Sequence, residues 1–260
     1  MAESGLTVLI GGVSQLYQGD FDLGRLAVER LLQRDLGRAV IVEDLHYGAV
    51  AVAQRLEELK PDALIIVGAA QRGRPPGTVE RRLLAVPPLT PERVQPAVAD
   101  AITGYVTIDL LIDVCGGLGV LPARVVSVEV EPAETEPSER LSEPGARGLD
   151  DAVGLVVAEV RRAPMLLLAQ QIRESLDESH ISHSQALDTM HMLLNELRML
   201  DEAGEWGGAF AMRDRLRLKI SEGQTGEGMS HLDWGLWWAL IEELDRLQGI
   251  EGAAGFGAQR

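Results

Sequence analysis

The chain has 260 residues, enough for one large domain or two modest ones around a real hydrophobic core. Its formal charge of −16 argues against a nucleic-acid partner and against an anionic membrane surface, since both are bound largely through cationic groups. A single cysteine rules out an intrachain disulfide, and no apolar run approaches the ~18 residues of a membrane span.

In chain order, the first predicted strand is 7–13, TVLIGGV, a continuous apolar run ending beside glycines. Runs of the same kind follow at 39–43, 63–67 and 124–130, and β-branched runs of this length suit strands buried on both faces. Helical patterns lie between them. The segment 24–36 ends at Gly37, and 49–59 repeats Val50, Ala53, Leu56 and Leu59. A third helix is expected within 91–118, opening at Thr90-Pro91-Glu92 and broken near Gly104, and a fourth over 146–162. Alternating strands and helices predict a three-layer α/β sandwich with a mostly parallel central sheet, its site beyond the carboxyl ends of the strands. The acidic, proline-rich stretch 131–145 is read as a long loop.

The strand signals stop near Pro164, so the α/β domain is placed at 1–162 and an all-helical extension at 163–260. Helices are expected at 165–178, 183–203, 209–221 and 230–248, with the Gly/Ala-rich tail after Gly249 left without order. Three of the four tryptophans, Trp234, Trp237 and Trp238, fall in the last helix. That helix is apolar over much of its circumference. It therefore suits docking onto 165–203, and its tryptophans also suit a partner-binding anchor.

The residues offer few chemical constellations. The turn GGVSQLYQGDFDLG after the first strand does not match GxGxxG, and Asp20 and Asp22 would repel phosphate. Cys115 sits in an apolar stretch and reads as a buried small residue rather than a nucleophile. Ser14 lies outside any GxSxG motif. His180 and His183 share a helical face, but His191 is about 12 Å further along the axis, too far for one ion. His46 follows Asp44 at the end of the second strand, within possible reach of Asp20 and Asp22. Arg72–Arg74 with Arg81–Arg82 is the candidate local basic patch.

Several of these segments, taken in order, resemble the hydrogenase maturation protease family over residues 6–162. LYQGDFDLG followed by AVERL resembles the family's opening acidic loop and first helix. ALIIVGAAQRGRPPGTV resembles its third-strand segment, GLGVLPARVVSVEVEP the approach to its fourth strand, and LSEPG the entry to its last helix. With no signal-like or spanning apolar run, the expected compartment is cytoplasmic, and the resemblance implies a protein that meets the large subunit of a NiFe hydrogenase late in assembly. In that family two carboxylates and a histidine sense the nickel already inserted there, and a C-terminal extension is then cleaved.

Carried over residue by residue, the three ligand positions fall on Phe21, Gly68 and Gly104, none of which offers a metal ligand. The expectation is therefore a non-catalytic assembly or interaction factor with no cofactor of its own. Its docking surface is expected near Arg72, Arg74 and Pro76, with Trp234, Trp237 and Trp238 on the extension. The alternative is a working endopeptidase whose displaced site, Asp20, Asp22 and His46, binds the partner's nickel. A purely structural subunit that keeps only the fold is a third reading.

Overall fold

The computed structural model describes residues 6–84, 106–178, 185–204, 206–224 and 234–257. The chain divides into two compact units, Met1–Val160 and Arg161–Arg260.

The first unit is built on five strands: β1 (Val8–Val13), β2 (Val40–Asp44), β3 (Ala63–Ala69), β4 (Val79–Leu83) and β5 (Arg124–Val130). Their order is β2-β1-β3-β5-β4. All pairings are parallel except β4 with β5. Every residue of β1 and β5 is buried, the apolar ones of both strands together with Arg124, Ser127 and Glu129 of β5. The mostly parallel sheet with flanking helices is the architecture read from the alternating pattern.

Strand β4 was not among the predicted strands. Its sequence, VERRL, has no apolar alternation, because its polar side chains find charged partners instead of water. Arg81 reaches Glu159, while Glu80 meets Arg74 and Arg82 meets Glu129 on the other face. A strand held by ion pairs leaves no hydrophobic period to read.

Helix α1 (Leu23–Leu31) follows a short 3-10 turn at Gly19–Asp22. It lies against the end of β1 because Gly24 has no side chain; a Cβ there would sit 2.2 Å from the Val13 carbonyl oxygen. Helix α2 (Ala49–Leu59) buries Ala49, Val52, Ala53 and Leu56. Val50, placed on the apolar stripe by its spacing, is instead exposed. Helix α3 (Ile108–Gly117) is capped by Thr107, whose hydroxyl accepts from the Leu110 amide. The predicted start at Thr90 and the break near Gly104 lie outside the described residues.

Helix α4 runs without interruption over Glu143–Glu178, with Pro164 inside it. The expected break at Pro164 is therefore absent, although an internal proline costs about 3 kcal/mol. Burial of Ala163, Met165, Leu166 and Ala169 around it offsets that cost.

The second unit adds α5 (Gln185–Ala203), α6 (Gly207–Gln224) and α7 (Trp234–Gly257) to the end of α4. Their core joins Met165, Ile172, Leu193, Leu197, Met212, Leu216, Trp237, Leu240 and Leu244. Expected over 209–221, α6 buries Ala209, Met212, Leu216 and Ile220 at helical spacing. The last helix extends beyond the predicted 248 to Gly257. Among the described residues, no helix is long and apolar enough to cross a membrane.

Candidate functional site

In the sheet order, β1 is flanked by β2 on one side and β3 on the other. The chain reverses direction across the sheet at that point, which leaves a crevice at the carboxyl ends of β1 and β3. Two loops leave it. The β1–α1 loop carries Asp20 and Asp22, and the β3–β4 loop carries Arg72, Arg74 and Pro76.

Asp20 is fully buried and accepts four hydrogen bonds. Donors are the amides of Ala133, Glu134 and Ser142 and the Ser142 hydroxyl, at 2.7–3.0 Å. Burial works against its charge, but the Glu134 amide, the Ser142 hydroxyl and the remaining amides outweigh it and hold the carboxyl below its ordinary range. Backbone bonds run alongside: Ser138 N–H to Tyr17 at 2.9 Å, Gly19 N–H to Ser138 at 3.2 Å and Asp20 N–H to Glu134 at 2.8 Å. The long acidic loop, whose helix begins only at Glu143, is thus fastened to the β1–α1 loop through one carboxylate.

Asp22 is also buried, and the Arg25 guanidinium donates to both of its oxygens at 2.6–3.1 Å. His46 pairs through Nδ1 with Asp44 at 2.9 Å. The structure does not gather Asp20, Asp22 and His46 into one cluster. Among the described residues, no three His, Cys, Asp or Glu side chains are placed to hold a metal ion.

The two carried-over positions that are described explain this physically. Phe21 has no donor atom. Gly68, the last β3 residue paired with β1 (opposite Val13), has no room for a side chain, since a Cβ would lie 2.6 Å from the Val13 carbonyl oxygen. The nickel-sensing chemistry of the resembled family therefore does not fit these residues. Gly104 and the histidines His180 and His183 lie outside the described residues.

Restoring a carboxylate with Gly68→Asp is expected to lower the unfolding free energy by about 1–3 kcal/mol, as overpacking against backbone does. No nickel uptake should accompany it in a calorimetric titration. Unchanged stability in urea would show that the β1–β3 contact yields easily.

The arginines of the β3–β4 loop do not form an open basic patch. Arg72 donates to Glu129 at 2.9 and 3.0 Å and to Asp109 of α3 at 2.8 and 2.9 Å. Arg74 pairs with Glu80, Glu129 and Glu131, and Arg82 with Glu129. Glu131 also accepts the amides of Arg72 and Gly73, closing the loop. Both acids are held below the ordinary carboxylate range. Burial opposes this, but Arg72 outweighs it at Glu129, and the Arg72 amide and Arg74 outweigh it at Glu131. Sequence reasoning noticed the cations and missed Glu129 and Glu131, which alternate with β-branched residues at the end of a strand. An acid inside a β-branched run, with a second just beyond its end, was the available signal.

Pro76 is exposed at the tip of that loop. In the helical unit, Trp237 is 1% exposed and belongs to the core, so it offers no surface to a partner. Trp234 and Trp238 are partly buried against the same core. Cys115 is fully buried and its thiol is pushed up to about 12 by burial, which leaves it inert as a nucleophile.

No protein-family model and no curated protein matches this chain. Among solved structures, it is similar to the hydrogenase 2 maturation peptidase from Thaumarchaeota archaeon SCGC_AB-539-E09. Identity is 26%, covering 59% of this chain and 97% of that one, with a TM-score of 0.44. The hydrogenase maturating endopeptidase HybD from E. coli matches at 22% identity over 61% of this chain and 94% of its own, TM-score 0.47. The hydrogenase maturation protease HycI from Thermococcus kodakarensis KOD1 matches at 19% over 60% and 92%, TM-score 0.40.

Proposed function

We propose that this chain is a hydrogenase maturation protease-like protein that acts as a non-catalytic assembly or interaction factor for the large subunit of a NiFe hydrogenase. Ordered sequence segments over 6–162 support the kinship. One observation favours the non-catalytic form over a working endopeptidase. The acids nearest the resembled ligand positions already have internal partners, Asp20 in four hydrogen-bond donors and Asp22 in Arg25. A carboxylate saturated in this way is not available to an incoming divalent ion without breaking the fold around it.

The test incubates the full chain with a nickel-loaded large-subunit precursor, follows the precursor by intact mass and measures complex formation in parallel. An uncut precursor in a stable complex is the expected result. A shortened precursor would overturn the non-catalytic reading, and the absence of any complex would overturn the partner.

A further inference from the structure

We propose that Leu16 and Tyr17, with the exposed acidic segment 134–139 beside them, form a docking surface for a cationic, partly apolar, extended segment of another protein. The inference rests on the functional reading for the kind of partner, a protein, and adds the chemistry of the segment it holds.

Tyr17 is 61% exposed and Leu16 39%, large apolar side chains turned to solvent at the mouth of the crevice. Tyr17 has φ 60, a left-handed backbone that non-glycine residues adopt at a cost of about 1–3 kcal/mol. The backbone bonds to Ser138 and the Asp20 clamp hold the loop in this form, so Tyr17 is a rigid aromatic anchor that loses little freedom on binding.

Charge sets the kind of occupant. Around the crevice, Asp20, Asp22, Glu43, Glu80, Asp109, Glu129 and Glu131 all have hydrogen-bonding or charged partners. Glu134, Glu136 and Glu139 are exposed, and among the described residues no cation pairs with any of them. Arg140, just beyond them, is the one base in 131–140. The segment runs alongside the Tyr17 loop, with a parallel bridge between Gln18 and Ser138. A chain laid along it would meet spaced carboxylates on one side and an aromatic face on the other. Lys and Arg satisfy both, by ion pairing and by stacking on Tyr17, while an apolar side chain covers Leu16.

The experiment uses the full chain and a fluorescein-labelled peptide of about twelve residues repeating Lys-Leu-Ser, with a Glu-Leu-Ser peptide as control, read by anisotropy at low and physiological salt. The basic peptide should bind, lose affinity with salt, and bind at least about tenfold more weakly to Tyr17→Gly and to the triple variant Glu134→Gln/Glu136→Gln/Glu139→Gln. Glycine suits the positive φ at 17, so Tyr17→Gly should melt no lower than the wild type, which separates lost contact from lost fold. Equal binding of the acidic peptide, or an unchanged affinity of Tyr17→Gly, overturns the surface. The hydrogenase precursor separates the two readings. If the peptide needs Tyr17 but the precursor does not bind, the surface stands and the hydrogenase reading falls. If the precursor binds Tyr17→Gly as tightly as the wild type, the hydrogenase reading stands and the surface falls.

Discussion

Replacing Asp20 with alanine is expected to lower the unfolding free energy by about 3–5 kcal/mol and to loosen residues 131–142. Among the described residues, the side chain is the acceptor for four donors, three of them backbone amides. Hydrogen bonds to a charged group contribute about 1.5–3 kcal/mol each, and buried donors left without an acceptor add their desolvation cost. Water entering the space recovers part of the sum. Asp20→Asn, nearly the same in shape, should also destabilise, because its amide turns two donors toward donors. Urea unfolding measures the change, and amide exchange at Ala133, Glu134 and Ser142 locates it. A loss under about 1 kcal/mol would mean that the loop holds itself.

The same carboxyl gives a pH dependence with a definite sign. Its folded pKa lies below the unfolded value of 3.8, so the unfolded chain binds the proton more readily. The stability it contributes is full above that value and disappears as the pH falls through the lowered folded pKa. The gap between wild type and Asp20→Asn should therefore be constant from neutral pH down to about 5 and close below about 4.

The second large effect is expected at Glu129. Its side chain is fully buried at the end of β5 and takes Arg72, Arg74, Arg82 and the Ser127 hydroxyl. Removing one partner of a buried ionic group typically costs about 3–5 kcal/mol, since the opposite charges stay behind without compensation. Glu129→Ala should fall in that range and should release the β3–β4 loop from α3, because the Arg72 fork bridges Glu129 and Asp109. Glu129 and Glu131 both have lowered pKa values relative to 4.5, so this contribution too is present above that pH and lost below it. Added salt should change it little, as buried pairs are weakly screened. A loss under about 1 kcal/mol would show that the arginines re-pair with Glu131, Asp109 and Glu80.

Asp20 and Asp22 of the β1–α1 loop are both buried. They turn inward, Asp20 to backbone amides and Asp22 to Arg25. The groups exposed on the loops around the crevice include Leu16, Tyr17, Pro76 and the carboxylates of Glu134, Glu136 and Glu139.

How much of this was legible beforehand differs from residue to residue. Strands β1 and β3 announced themselves, because a strand buried on both faces is mostly apolar and leaves a continuous run, and β5 did so through its four valines despite three buried polar residues. Helix α2 was placed at its observed bounds with Ala53 and Leu56 on its buried face, but Val50 was put there instead of Val52, since the two look alike until the sheet is present. The basic cluster at Arg72, Arg74, Arg81 and Arg82 read as a patch because its acids lie far along the chain, at 109, 129, 131 and 159. Trp237 read as a possible anchor because burial against α4–α6 has no local signature.

By itself, the sequence determined the α/β class, the apolar strands of the parallel core and a net charge that disfavours nucleic acid, while the resemblance put Phe21 and Gly68 at the expected ligand positions. The first three follow from composition and local pattern, which do not depend on what lies across the fold. Only the tertiary structure decided that Asp20 is a clamp, that Asp22 is neutralised by Arg25, that β4 is a strand and that α4 runs through Pro164. Each of these depends on contacts between distant segments. A charge or a helix break is decided by the free energy of its surroundings, and the chain carries no local record of them.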